Sequence, residues 1–173
     1  HNELILLIDE LLAAGAKVTL AMDYPFISSP EGASVVERYR GLADSNIEFA
    51  AHLHPWVNPP FEDLASGDSV AAVNTYPGNL PKELEYKKLA SLTEKIESVS
   101  GVRPVTYLAG RYGIGNNTAR SLVRLGYKID LSISAYCDFT SQGGPDFSHY
   151  GNTIFERDEI IYFPHTCSIL STV

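Results

Sequence analysis

The chain has 173 residues, 45% of them hydrophobic and 20% charged, the make-up of one globular domain large enough to bury a core. A net charge of −8 and a pI near 5.0, without a dense Lys/Arg cluster, argue against nucleic acid or an anionic membrane surface as partner. The longest apolar run, "LILLIDELLAAGA", meets Asp9 and Glu10 too early to span a bilayer and lacks the basic start and cleavage region of a signal peptide.

Helix and strand patterns alternate along the chain. Residues 3–14 place Leu4, Ile5, Leu7, Ile8, Leu11 and Leu12 on one broad helical face, with Gly15 where a C-terminal cap belongs. The chain opens at His1 directly on this pattern, so further residues are expected upstream. "AKVTLAMDY" (16–24) reads as a buried strand, 34–45 as a helix, and "NIEFAAHLH" (46–54) as a second strand. Residues 81–99 form the clearest helix, with Leu89, Leu92, Ile96 and Val99 at helical spacing and Gly101 after its end. "PVTYLAG" (104–110) is a strand. "NNTARSLVRLG" is a helix capped by Asn116 or Asn117 and stopped at Gly126, and "YKIDLSIS" and "EIIYFPHT" are the last strands.

This alternation predicts parallel strands with helical crossovers, as an open doubly wound sheet or a barrel. "GRYGIG" lacks the G-x-G-x-x-G spacing, which disfavours a nucleotide-binding fold. A full barrel takes about 250 residues, so a single domain over 1–173 with roughly five strands reads as an incomplete one. Two long connections, within 55–80 and 135–158, carry Tyr, Trp and Phe and read as walls of a binding site. Cys137 and Cys167 make no metal motif and imply no disulfide framework, which makes a reducing, cytoplasmic setting the default expectation.

The chemistry concentrates in "EFAAHLHPWVNPP". Side chains alternate along a strand, so Ile47, Phe49, Ala51 and Leu53 share one face, and Glu48, Ala50, His52 and His54 share the other. The first face should pack on helices and the second should line the interior or mouth of a barrel. Two residues of strand rise span about 6.6 Å, close enough for two imidazoles to converge on one ion. Pro55 ends the strand there, and barrel active sites collect at the carboxyl ends of strands. His52 and His54 are therefore candidate ligands of a divalent metal, zinc first. A third ligand is expected from Asp23, at the end of the preceding strand, or from a carboxylate upstream. Asp23 reads equally well as a turn cap.

The stretches "VTLAMDYPF", "EFAAHLHPWVNPP", "NTYPGNLP", "LAGRYGIGNNTARSLVRLGYKIDLSIS" and "GGPDF" together resemble the polysaccharide deacetylases, the NodB-homology enzymes of carbohydrate esterase family 4. Within them the match leans to the subgroup associated with bacterial lipopolysaccharide biosynthesis. The resemblance implies a distorted (β/α) barrel, of about seven strands when intact, with the first strand missing from this sequence. It also implies a divalent metal and hydrolysis of an N-acetyl or O-acetyl group on a sugar or polysaccharide. The family's histidine motif falls on His52 and His54, although its usual spacing is His-x-x-x-His. Its arginine motif falls on "LAGRYG", making Arg111 the available guanidinium, with Leu108 where an arginine often stands. Its Leu-x-His motif, the source of a general acid, aligns loosely with "YFPHT" and His165. The first motif, with the paired carboxylates, would precede residue 1.

On this reading His52 and His54 hold the metal, Arg111 orients a base or substrate, and His165 protonates the leaving group. Trp56, Tyr76, Tyr112 and Phe147 offer flat faces to sugar rings, though each also reads as ordinary packing. Asp130 reads as a structural hydrogen-bonding residue. Two other functions compete: a non-catalytic carbohydrate-binding remnant of the fold, and a metal amidohydrolase acting on a small amide.

Overall fold

The computed structural model describes residues 2–43, 45–62 and 71–168; part of the first long connection, residues 63–70, lies outside the described residues. Six strands form one sheet among them: β1 (Val18–Met22), β2 (Ile47–Leu53), β3 (Thr106–Ala109), β4 (Ile129–Asp130), β5 (Phe155–Arg157) and β6 (Ile160–Tyr162). Their order is β1-β2-β3-β4-β6-β5, parallel at every pairing except the β5–β6 hairpin. The parallel strands keep chain order across the sheet, with no reversal of the kind that marks a doubly wound fold. Right-handed crossovers that always step the same way wind a barrel. Among the described residues the sheet stays open, so the architecture is an incomplete α/β barrel.

The helices are α1 (Asn2–Ala13), α2 (Tyr24–Ser28), α3 (Pro30–Tyr39), α4 (Lys82–Ser100) and α5 (Thr118–Leu125). Gly15, Gly101 and Gly126 end α1, α4 and α5 with φ of 81°, 75° and 92°, as their positions in the sequence require. Two elements depart from the sequence reading. The helix expected over 34–45 starts earlier, at Pro30, because the Ser29 hydroxyl caps it by accepting from the Gly32 N–H at 2.9 Å. The unexpected α2 precedes it, started by Asp23 and too short to show a helical period. β5 is likewise unexpected. It is three residues long and turns into β6 through Asp158 and Glu159, both at positive φ, without the glycine that usually signals such a turn.

The core lies between the sheet and the helices. Ile47, Phe49, Ala51 and Leu53, the odd positions of β2, join Val35 and Val36 of α3 and Leu89, Leu92 and Ile96 of α4. The even positions face the other way. There the Glu48 carboxylate accepts from Thr19 of β1 at 3.1 Å and from Thr106 of β3, tying three strands together across the inner face. α1 buries less than its sequence suggests. Leu7 and Leu11 are 52% and 39% exposed, and the helix is held by its other face, where the Tyr39 hydroxyl donates to Asp9 at 2.7 Å. No described helix is long and apolar enough to cross a membrane.

A polar cluster is buried on the helix side. The Thr118 hydroxyl donates to Glu85 of α4, and the backbone N–H of Ser132 donates to Asp130 at 2.8 Å, the structural role expected of that aspartate. Burial pushes the Glu85 carboxyl up to about 7 and the Asp130 carboxyl up to about 6. The unfolded chain gives up the Glu85 proton near pH 4.5, whereas the folded chain holds it to about pH 7, so stability falls as pH rises through that window. Glu85→Gln keeps an acceptor for Thr118 and removes this slope. Urea denaturation at pH 5 and pH 8 should show the variant gaining on the parent by about 2–3 kcal/mol as pH rises; parallel profiles would refute the assignment.

Candidate functional site

β1, β2 and β3 run side by side and end at one edge of the sheet. Their register pairs Met22 with Ala51, His52 with Leu108 and Leu53 with Ala109. Asp23, His54 and Gly110 each follow directly on a strand end. β2 stops because Pro55 has no N–H for the ladder, and the chain turns instead into a short 3₁₀ segment, Pro55–Val57.

His52 and His54 leave the same side of β2, and their ring centroids stand 4.3 Å apart in an edge-to-face arrangement. The His52 Nδ1 lies 2.9 Å from the Leu108 carbonyl oxygen. A carbonyl only accepts, so Nδ1 carries the proton and Nε2 keeps its lone pair. The His54 ring packs on Trp56, centroids 4.6 Å apart, and its Nδ1 is buried without a hydrogen-bond partner. Burial is the main cause that holds both imidazoles below the usual histidine range. The Leu108 carbonyl and Asp23 pull His52 back up; His54 is lowered further by His52 and raised by Asp23. Burial thereby favours the neutral form of both rings, the form in which imidazole binds a metal.

Asp23 serves first as a cap: its Oδ1 accepts from the Phe26 N–H at 2.9 Å at the start of α2. With His52, Leu4, Ala21, Met22 and Phe26 it lines a cavity of about 350 Å³ along β1. Among the described residues no three His, Cys, Asp or Glu side chains assemble as a metal-holding group. The residues fit a metal in part. An imidazole oriented by a backbone carbonyl and a second with an orphaned buried nitrogen are suited as two donors, and a third is not brought in.

The other expected residues fall into two groups. Arg111, at φ 55°, donates to Thr75 Oγ1 at 2.6 Å and to Gln142 Oε1 at 2.7 Å, and its guanidinium lies 4.2 Å from the Tyr76 ring centroid. It fastens the two long connections to each other. Tyr76 is 2% exposed beneath it, and Phe147, 3% exposed, packs on Phe139 and Tyr150. Both rings are packing residues here and present no open face to a sugar. Tyr112 stacks on Phe139 and meets His165 edge-on, centroids 5.1 Å apart. His165 is pinned by its N–H to the Ile133 carbonyl at 2.8 Å, and its Nε2 is buried without a partner. Trp56 and Tyr112 stay partly exposed.

Sequence reasoning missed three contributors: the Leu108 carbonyl, Gly110, and Lys88 of α4, whose Nζ donates to carbonyls of the loop after His54. Gly110 could have been suspected, because a glycine at a strand end often marks close backbone approach. A Cβ there would stand 2.5 Å from the Leu53 carbonyl oxygen and 2.6 Å from His54 Nδ1.

No protein-family model matches the chain, and no curated protein matches it. Among solved structures it is similar to a crystal structure from Mycobacterium smegmatis of a protein proposed as a polysaccharide deacetylase. The TM-score is 0.57 at 18% identity, covering 92% of this chain and 44% of that one. At this identity the likeness is one of fold. The chain spans less than half the length of the structure it matches.

Gly110→Ala should displace the His54 ring, because the obstructing atoms include fixed backbone. We expect a loss of about 1–3 kcal/mol in denaturant unfolding, with shifted His54 ring signals in NMR. A variant with native stability and unshifted His54 would show that the glycine is not required.

Proposed function

We propose that this chain carries the metal-binding half of a sugar-directed deacetylase site, in which His52 and His54 ligate a divalent cation, zinc first, and the substrate is an N- or O-acetylated sugar or polysaccharide. The observation that carries this reading is the pairing of two imidazoles, centroids 4.3 Å apart, at the carboxyl end of β2, where burial favours their uncharged forms. The likeness in fold to a protein proposed as a polysaccharide deacetylase supports it.

A cation bound here would supply Lewis acidity, polarising an acetyl carbonyl and lowering the pKa of water. The chain's own residues prepare the place. Leu108 fixes the tautomer of His52, leaving Nε2 free. Trp56 packs on one side of His54 and offers a partly exposed ring beside the site. Asp23 supplies negative charge close to both rings without leaving its cap. Arg111 contributes by holding the 72–79 and 140–142 segments together, and His165 stands with Tyr112 as the available acid. Removal of an acetyl group also needs a base for the attacking water.

A second reading, a non-catalytic carbohydrate-binding remnant, is favoured by one observation: no third ligand joins the pair among the described residues. One set of measurements separates the two. Purified chain should bind zinc, and His52→Ala or His54→Ala should weaken it at least about 10-fold. Acetate should be released from N-acetylated or O-acetylated oligosaccharides. Zinc affinity unchanged in both variants would end the metal reading. Oligosaccharide binding without acetate release would select the remnant.

A further inference from the structure

Lys88 lies in the middle of α4 with none of its surface exposed. Burying an ammonium group is strongly unfavourable unless its protons find acceptors in good geometry. Here Nζ donates to the carbonyls of Pro55 at 3.0 Å, Asn58 at 2.8 Å and Pro60 at 2.6 Å, and stands 5.3 Å from the Phe61 ring centroid. All of these acceptors belong to one loop. The grip is reciprocal: Asn58, itself fully buried, donates its side-chain N–H to the Lys88 carbonyl at 2.9 Å and to the Pro59 carbonyl at 2.7 Å.

The loop held in this way is the one that begins next to His54 and carries Trp56. Pro55 cannot continue the ladder of β2, so beyond His54 the path of the chain is set from α4. The His54 ring has no hydrogen bond at Nδ1; what orients it is the Trp56 ring, the neighbouring His52 ring and the bare Gly110 backbone. Three carbonyls converging on one point suit the compact ammonium of lysine and not the planar fork of arginine.

We infer that Lys88 is a positioning residue for the histidine site: by gathering the carbonyls of Pro55, Asn58 and Pro60 it fixes the loop that seats Trp56 against His54. The consequence for ligand binding rests on the reading of His52 and His54 given above; the seating of the two rings does not.

Lys88→Met keeps the length and removes the donors. Trp56 is the chain's only tryptophan, so its emission reports on this loop alone. In the folded variant, the nuclear Overhauser contact between Trp56 and His54 should disappear, and Trp56 emission should shift to the red. Zinc affinity should fall about 10- to 100-fold. Lys88→Arg should fail to restore any of the three. A Lys88→Met protein with a lower melting temperature but unchanged Trp56–His54 contact and emission would reduce Lys88 to a structural role and overturn the inference. If Lys88→Met does not fold, Asn58→Ala, which cuts the reciprocal bond, carries the same expectation. A parent chain that binds no zinc, together with loss of the ring contact in the variants, would sink the metal reading while leaving the positioning role standing.

Discussion

The termination of β2 at Pro55 is the constraint on which the rest depends. A strand that ran on would carry His54 into a ladder and leave Trp56 a full strand-repeat beyond it instead of folded back against its ring. Because Pro55 breaks the hydrogen-bond pattern, His54 is left at the rim, one strand-repeat beyond His52 and on the same side. Everything around the pair accommodates that stop. Leu108 in the neighbouring strand offers its carbonyl to His52, Gly110 leaves room for His54, and α4 reaches up with Lys88 to hold the chain that follows. The rings end 4.3 Å apart as a result of three elements that are distant in sequence.

Charge is distributed to match. On the helix side of the sheet, burial keeps Glu85 and Asp130 protonated into the range where surface carboxyls are ionised. The buried ammonium of Lys88, one turn along α4 from Glu85, is satisfied by carbonyls of the 55–60 loop. On the opposite face the Glu48 carboxylate is held by hydroxyls of both neighbouring strands, and the two imidazoles are pressed toward neutrality. The site edge thus presents lone pairs instead of fixed positive charge, which suits a cation better than an anion.

Much of this was legible in the sequence because it follows from strict periods. The alternation in β2 assigned Phe49 and Leu53 to the core and His52 and His54 to the other face, and the structure agrees. The helical spacing of Leu89, Leu92 and Ile96 placed α4, and the glycine stops placed three helix ends. What was hidden depended on short or long-range features. α2 and β5 are too brief to establish a period. Arg111 gave no sign that its partners would be Thr75 and Gln142, more than thirty residues away on either side. Tyr76 and Phe147 read either as sugar-facing rings or as ordinary packing, because aromatic residues in long loops do not reveal which of them is tucked under. Besides Gly110, a second signal was overlooked in α4, where Glu85 and Lys88 interrupt the buried stripe of Leu84, Leu89, Leu92 and Ile96. Charges on an apolar helical face call for buried partners.

The central claim is that His52 and His54 serve one ligand together. Long-range proton–nitrogen NMR of the histidine rings during a zinc titration tests it most directly. The account predicts that metal-free His52 shows the Nδ1–H tautomer, and that His52 Nε2 and a ring nitrogen of His54 then shift in concert, saturating at a single zinc per chain. Response of only one ring, or of the two at separate zinc concentrations, would contradict it.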